Sequence, residues 1–313
     1  MSATNIGAAA ELIAEDEPPG PPIRFRTAEA VINQASGSTG PGAAEALEAI
    51  VRKAGVEVNV REVPPSEIGE AVKAAVDAKP DLVIILAGDG TARLAASLCG
   101  PDGPVVSTLP GGTMNMLPKA FYGDRSWQEA LSCALADPVV RPVAGGEING
   151  HTFYVAAILG APALWAQARE AVREGDVVAA ARRGWRAARR AFHGRLRFSL
   201  EGGSVEHTEA LSLLCPLISK EMDEQTALEA AVVDPAGALE AFRLGVNYML
   251  GQWRNDPAIT VRRIRHGRAY ARKMIPAILD GETVRLRSPA EIRFIPKAFR
   301  ALEPRRDVGE PRV

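Results

Sequence analysis

Residues 82–91 read Leu-Val-Ile-Ile-Leu-Ala-Gly-Asp-Gly-Thr, an apolar run that ends directly in a glycine loop. The run has the length of one buried strand in a parallel sheet and is too short to cross a membrane as a helix. Glycines let backbone N–H groups approach an anion, and a helix that begins after the loop adds a favourable dipole. We therefore expect a strand followed by a phosphate-binding loop, with Asp89 placed to hold a metal ion or a ribose.

The elements around this strand predict a doubly wound, mostly parallel sheet, because strands and helices alternate as far as Ala136. Ser66 is expected to cap the second helix, and Ser126 with Glu129 forms a capping-box pattern at the start of the last one. The predicted strands are 28–32, 56–63, 82–87 and 105–109, and the predicted helices are 43–53, 66–78, 91–98 and 126–136.

After Pro138 the pattern becomes rich in strands, and an Asn149-Gly150 turn joins the first two of them. A long helical stretch is expected at 162–192 before the strand pattern resumes. The predicted strands are 139–143, 152–158, 195–200, 210–214, 227–233 and 259–264. We therefore expect a second, β-rich domain over residues 139–295.

The composition is that of a soluble protein that can fill two cores, with 47% hydrophobic residues and a net charge of -1. This charge argues against a general nucleic-acid binder, although the many arginines after residue 168 could form a local basic face. Cys99, Cys133 and Cys215 are expected to be reduced core thiols, because they are odd in number and lie in apolar surroundings. Residues 1–22 lack a signal-peptide pattern, so we expect a disordered extension and a cytoplasmic protein.

Three glycine-bearing loops follow strands of the predicted parallel sheet, at residues 33–37, 88–91 and 111–115. The carboxyl ends of parallel strands meet at one edge, where ligands bind. Neither the phosphate loop G-x-x-x-x-G-K-[ST] nor the dinucleotide fingerprint G-x-G-x-x-G occurs, which disfavours the two commonest nucleotide-binding folds.

These loops give the chain a resemblance to the diacylglycerol kinase catalytic superfamily, which includes bacterial lipid kinases, sphingosine kinases and ceramide kinases. The resemblance spans roughly residues 28–302, and the order and spacing of the motifs agree. The family patterns N-P-x-S-G, G-G-D-G-T, P-x-G-T-x-N-D, N-G-x-x-F, D-G-E and I-P-K-A are matched by residues 33–37, 87–91, 110–116, 149–153, 280–282 and 295–298.

The resemblance implies an N-terminal doubly wound α/β nucleotide-binding domain over 23–138, completed by 296–303, and a C-terminal antiparallel β-sandwich domain that takes the lipid. It implies ATP and Mg²⁺ as cofactors, Glu282 as the catalytic base, Asp280 beside it as an orienting residue or a metal-binding partner, and Asp89 as a catalytic residue that binds the metal. Without the resemblance, Asp280-Gly281 reads as a type I′ hairpin turn, and both interpretations can hold. The residues expected to bind the nucleotide are Asn33, Ser36, Gly37, Gly88, Gly90, Thr91, Arg93, Gly112, Thr113 and Asn115.

The chain departs from the family pattern at several positions of the site, of which Ala87, in place of the first glycine of G-G-D-G-T, is a small change. The usual T-x-N-E becomes Thr91-Ala92-Arg93-Leu94, and the acidic residue after Asn115 is Met116. Two alternatives stand for Arg93: a cation for the phosphates, or a solvated residue on its helix. A metal-binding D-G-x-L segment of many family members is replaced by residues 222–228, which puts that second metal site in doubt.

A basic segment, Arg182–Arg197, carries Trp185 and Phe192 among its arginines. It fits either peripheral contact with an anionic membrane or a solvated helix face. The expected function is transfer of the γ-phosphate of ATP to a membrane-lipid hydroxyl, with a ceramide or sphingoid acceptor ranked slightly ahead of diacylglycerol because of Met116. The alternatives are an NAD kinase-like enzyme and a catalytically weak lipid-binding protein. No nucleic-acid partner is expected, and monomer and homodimer both stay open.

Overall fold

The computed structural model describes residues 23–160, 196–219, 226–233 and 259–305. Several sequence-based predictions lie outside these ranges. They are the disordered extension 1–22, the helical stretch 162–192, the basic segment up to residue 195, and most of segment 222–228.

Four parallel strands and five helices form the first part of the chain, and the strands lie in the order β2-β1-β3-β4. The strands are β1 (Thr27–Asn33), β2 (Glu57–Val63), β3 (Leu82–Ala87) and β4 (Val105–Pro110). The helices are α1 (Ala43–Lys53), α2 (Ile68–Asp77), α3 (Asp89–Cys99), α4 (Met116–Tyr122) and α5 (Trp127–Ala136). The alternating part of the predicted fold is thereby confirmed.

The hydrophobic pattern explains why these elements form. Every residue of β3 is buried, as expected for a central parallel strand covered by helices on both faces. Helix α1 turns Ala43, Leu47 and Val51 toward the sheet at intervals of four residues. Helix α5 begins with the predicted capping box, since the Ser126 side chain accepts from Glu129 N–H and the Glu129 side chain accepts from Ser126 N–H.

Three local predictions in this part are wrong or incomplete. Helix α2 begins at Ile68 with Glu67 in the capping position, so Ser66 does not cap it. Helix α4 was not predicted, because a seven-residue helix that contains Pro118 shows little periodicity. Cys99 and Cys215 are buried free thiols as expected, whereas Cys133 is exposed.

The second part is built from strands. They are β5 (Pro138–Ile148), β6 (His151–Phe153), β7 (Ala156–Gly160), β8 (Leu196–Leu200), β9 (Glu206–Thr208), β10 (Ala210–Leu214), β11 (Leu228–Val233), β12 (Ile259–Ile264), β13 (His266–Tyr270), β14 (Ile275–Leu279), β15 (Glu282–Leu286) and β16 (Ala290–Pro304). The predicted Asn149-Gly150 turn joins β5 to β6, with φ of 50° and 82° at its two residues.

Within the described ranges these strands belong to two sheets. Six of them form an antiparallel sheet in the order β12-β11-β10-β7-β14-β15. The others extend the parallel sheet, since β16 pairs with β4 and continues to β13, β8 and β9. Phe198 and Ile292 of the long sheet share one core with Leu213 and Leu279 of the antiparallel sheet, so the two sheets face each other. The predicted fold class, α/β followed by an antiparallel β part, is confirmed.

Strand β16 joins the two parts of the molecule. It pairs antiparallel with β5 from Ile292 to Pro304, with a register shift between Ile295 and Phe299. Near its end it also pairs parallel with β4, through Ala301 and Val106. This strand, the last in the described ranges, therefore returns to the sheet that carries the glycine loops.

No helix in the described part of the chain has both the length and the apolar character needed to cross a membrane.

Candidate active site

The three glycine loops predicted to share a sheet edge are in contact with one another. A Cβ atom on Gly111 would lie 2.7 Å from the backbone nitrogen of Ala87, and one on Gly112 would lie 2.7 Å from the Cα of Gly88. The backbone N–H of Ser38 donates to the carbonyl of Gly111 at 3.3 Å. Glycine at positions 111 and 112 permits this close approach of the backbones, because a side chain there would collide with residues 87 and 88. The loops after β1, β3 and β4 therefore form one continuous surface.

Two predicted nucleotide-binding residues shape their own loops. Asn33 Oδ1 accepts from the N–H of Ala35 at 3.1 Å and so closes the first loop. Asn115 holds the third loop from both sides, because its Oδ1 accepts from Gly112 N–H at 2.7 Å and its Nδ2 donates to Gly112 carbonyl oxygen at 2.8 Å. Asn115 is buried with a positive φ of 51°, a conformation that asparagine tolerates better than most residues.

Asp89 lies between the starts of two helices. It is the first residue of α3, and its Oδ1 accepts from the N–H of Leu117 in the first turn of α4 at 3.2 Å. Burial raises the pKa of Asp89 above its usual value, N–H groups of residues 115–117 oppose this, and the nearby charge of Glu282 adds to it. The Asp89 carboxyl group is thus within electrostatic range of Glu282, although the two residues are far apart in the sequence.

A tight hairpin between β14 and β15 brings Glu282 to the glycine loops. Its two turn residues, Asp280 and Gly281, have φ of 47° and 87°, which confirms the predicted type I′ turn. A Cβ atom on Gly90 would lie 1.8 Å from Oε1 of Glu282. The Glu282 side chain is 47% exposed, so its carboxylate lies on the surface that the glycine loops form.

Asp280 points away from this surface into the protein. Its Oδ2 accepts from Tyr154 N–H at 2.8 Å, and its Oδ1 accepts from the N–H groups of Val155 and Ala156 at 2.9 Å each. Burial raises the pKa of Asp280 to about 6 despite these hydrogen bonds. Both oxygens thus accept hydrogen bonds from the segment where the chain passes from β6 to β7, and the metal-binding role of Asp280 stays a prediction.

Arg93 contacts the same hairpin. Its Nη1 donates to the carbonyl oxygen of Leu279 at 3.1 Å, and its Nη2 forms an ion pair with Glu282. The side chain is 20% exposed. The alternative in which Arg93 lies solvated on its helix is therefore wrong. The pairing of Arg93 with Glu282, 189 positions apart, has no local sequence signal and was missed.

Other predicted features lie away from this cluster. Of the basic segment, Arg197 is described, and its guanidinium lies 5.9 Å from the ring centroid of Tyr270 in β13. Among the described residues no group of three or more His, Cys, Asp or Glu side chains is arranged to hold a metal ion. A cavity of about 370 Å³ borders the glycine loops at Ser38, Pro110 and Asn115.

Comparison with known proteins agrees with this geometry. Residues 27–147 match the family model of the diacylglycerol kinase catalytic domain. This part of the chain is similar to the catalytic domain of diacylglycerol kinases. The matched residues include all three glycine loops, together with Asp89 and Arg93.

Solved structures from Bacillus anthracis str. Sterne share the fold over most of the chain. A diacylglycerol kinase structure is 15% identical with a TM-score of 0.64, covering 89% of this chain and 97% of that one. A candidate diacylglycerol kinase is 18% identical with a TM-score of 0.67 and the same coverage. A further candidate is 17% identical with a TM-score of 0.66, covering 90% of this chain and 98% of that one. At these identities the likeness establishes the two-part fold.

Proposed function

We propose that this protein is a lipid kinase that transfers the γ-phosphate of ATP to a hydroxyl group of a membrane lipid. One observation carries the proposal: the Glu282 carboxylate lies against Gly90, in one of the three glycine loops that contact one another. A proton acceptor next to a phosphate-binding surface is what phosphoryl transfer to an alcohol requires.

The nucleotide phosphates are proposed to bind across the loops after β1, β3 and β4. The first N–H groups of α3 have no acceptor within the helix, because its hydrogen bonding begins with Thr91 and Ala92 donating to Gly88. These free donors and the helix dipole favour an anion at this point. Gly88 and Gly90 are proposed to donate through their N–H groups, and Thr91 and Thr113 through their hydroxyl groups. Gly112, whose N–H donates to Asn115, is proposed to set the loop shapes together with Asn33, Ser36, Gly37 and Asn115.

Asp89 fits the Mg²⁺ that accompanies ATP. Mg²⁺ is commonly held by one or two carboxylates together with substrate phosphates and water, so a cluster of three acidic side chains is not required. Glu282 forms an ion pair with Arg93, whereas the Asp89 oxygens pair with no arginine in the described structure. Bound there, Mg²⁺ would neutralise phosphate charge.

Glu282 is proposed as the group that accepts the proton of the lipid hydroxyl. Its exposure leaves it accessible to an acceptor that approaches from the β-rich part of the chain. Asp280 is proposed to orient Glu282, because it fixes the hairpin turn to the backbone of Tyr154, Val155 and Ala156. Efficient proton transfer requires this kind of fixed geometry.

As the lipid acceptor we propose a ceramide or sphingoid lipid in preference to diacylglycerol. The reason is Met116, because sphingosine kinases also lack the acidic residue that the family pattern has at this position. Met116 faces the hairpin, with its sulfur 3.5 Å from the Cβ position of Gly281. Contact with the membrane through Arg182–Arg197 belongs to the same proposal.

The test is phosphorylation of a total lipid extract with γ-labelled ATP and Mg²⁺, read by mass spectrometry, with NAD offered in a parallel reaction. The proposal expects labelled lipid and unlabelled NAD, and the mass of the product identifies ceramide or diacylglycerol. Labelling of NAD alone would reject the proposal in favour of a small-molecule kinase. Vesicle binding without phosphate transfer would reject it in favour of a lipid-binding protein.

A further inference from the structure

We propose that Arg93 is a positioning residue for the transfer reaction and holds the Glu282 carboxylate in place over Gly90. The proposal rests on the function proposed above. It assigns Arg93 to the acceptor side of the reaction and not to the phosphates, which is the alternative that the sequence left open. Three sets of contacts lead to it.

The first set consists of the contacts that Arg93 makes with the hairpin. One guanidinium nitrogen donates to the carbonyl oxygen of Leu279, the last residue of β14, and another pairs with Glu282, the first residue of β15. Arg93 thus contacts the hairpin on both sides of its two-residue turn. A planar guanidinium can bind two acceptors at fixed separation, whereas the single ammonium group of lysine cannot reproduce that geometry.

The second set shows that the rest of the hairpin is already fixed. The Asp280 carboxylate is bound by three backbone N–H groups, and the Asp280 N–H donates to the carbonyl of Ala156 at 2.9 Å. Gly281 packs against Met116 at the start of α4. The backbone at the turn is therefore held from the β-rich part and from α4, and the conformation of the Glu282 side chain is what the Arg93 contact adds.

The third set concerns charge. Arg93 forms an ion pair with Glu282, whose carboxylate lies against Gly90 in the loop that is proposed to bind the phosphates. ATP phosphates bound to the glycine loops would repel the Glu282 carboxylate. A cation paired with Glu282 offsets that repulsion and keeps the carboxylate next to Gly90 instead of turned toward solvent.

The two possible roles of Arg93 predict different kinetics. An arginine that binds the phosphates of ATP contributes to nucleotide affinity, so its loss raises the KM for ATP. An arginine that positions the proton acceptor acts in the chemical step, so its loss lowers kcat while ATP affinity changes little. The same loss should be reversed in part by free guanidinium ion, which can occupy the space that the side chain leaves.

The experiment compares Arg93→Gln, Arg93→Lys and the control Arg52→Gln in the full-length protein. Arg52 forms an exposed ion pair with Glu48 on α1, outside the site. We expect kcat of Arg93→Gln to fall about 10²-fold. Its Kd for ATP should stay within about threefold of wild type. Arg93→Lys should recover part of kcat, millimolar guanidinium should raise kcat of Arg93→Gln, and Arg52→Gln should match wild type.

Two results would overturn the role of Arg93 while leaving the proposed function intact: a wild-type kcat in Arg93→Gln, or a loss confined to the KM for ATP. If Arg93→Gln does not fold, Arg93→Lys decides, because a positioning role predicts a lower kcat at unchanged ATP affinity for lysine as well. A wild-type protein that phosphorylates no lipid is a separate outcome, which rejects the proposed function and this inference together.

Discussion

Gly90 has a role that phosphate binding alone does not require. The Glu282 carboxylate occupies the space where a side chain on residue 90 would begin, 1.8 Å from the Cβ position. Glycine therefore permits Glu282, the proposed proton acceptor from far along the chain, to lie directly on the loop. The pattern Gly88-Asp89-Gly90-Thr91 predicts a loop that approaches an anion, but it contains no information about Glu282.

Gly90→Ala tests this contact. The added methyl group must displace Glu282, so we expect kcat for lipid phosphorylation to fall about 10²-fold, as for other small displacements of reacting groups. The free energy of unfolding should change little, because the displaced carboxylate is half exposed. Gly69→Ala in α2 is the matched control, since nothing lies within 4 Å of its Cβ position. Steady-state kinetics decide, and an unchanged kcat in Gly90→Ala would contradict the assigned contact.

The β14–β15 hairpin and the β6–β7 segment are the elements that orient the site. Asp280 joins them through three N–H groups. In Asp280→Asn the amide would keep one acceptor oxygen and would turn an N–H₂ group toward a backbone donor. We expect the variant to lose about 1–3 kcal/mol of unfolding free energy at acid pH, the cost of leaving a buried donor unsatisfied.

The pH dependence of that loss has a definite sign. The pKa of Asp280 rises from 3.8 to about 6 in the folded protein because of burial. A carboxyl group with a raised pKa contributes stability that is fully present below its unfolded pKa and is lost as the pH rises through its folded pKa. The advantage of wild type over Asp280→Asn should therefore shrink between about pH 4 and pH 7. Urea denaturation at several pH values measures it, and an advantage that grows with pH would contradict the account.

The sequence predicts the elements better than their contacts. The bounds of α1 and β12 agree with the prediction because periodicity and flanking glycines or prolines are local signals. The same is true of both Asn-Gly and Asp-Gly turns. Helix α4 is too short to show a period, and the cap of α2 depends on backbone geometry that Ser66 alone does not determine.

Within the site, the loops were predictable and the pairings between them were not. The glycine loops follow strands, and parallel strands bring their ends together, so their proximity follows from topology. Whether Asp280 faces the nucleotide or the backbone depends on where residues 154–156 lie. The partner of Arg93 likewise depends on how the hairpin lies on α3. Both are long-range packing outcomes that no spacing in the chain encodes.

At the scale of the whole molecule, β16 makes the two parts one unit. It pairs with β4 of the parallel sheet and with β5 and β13 in the strand-rich part. Phe299 of β16 is fully buried in the first core and Ile292 in the second. Unfolding of either core therefore disrupts β16 and removes a strand to which the other core also contributes.

We therefore expect a single cooperative unfolding transition. Calorimetry should give one peak, and near-UV and far-UV circular dichroism should report coincident midpoints. Saturating ATP should move the whole transition upward, because a ligand that binds the native protein stabilises everything that unfolds with it. Two separated transitions, with one of them insensitive to ATP, would show that β16 does not couple the parts.

The proposed function depends most on the proposal that Glu282 accepts the proton of a lipid hydroxyl beside the glycine loops. Its most direct test is Glu282→Gln, which keeps the shape of the side chain and an oxygen for Arg93 but removes the carboxylate. We predict a loss of lipid phosphorylation of about 10²- to 10⁴-fold while calorimetric ATP binding persists. The exposed Glu291→Gln variant, whose wild-type residue pairs with Arg268, should keep full activity. A Glu282→Gln enzyme with wild-type turnover would contradict the claim.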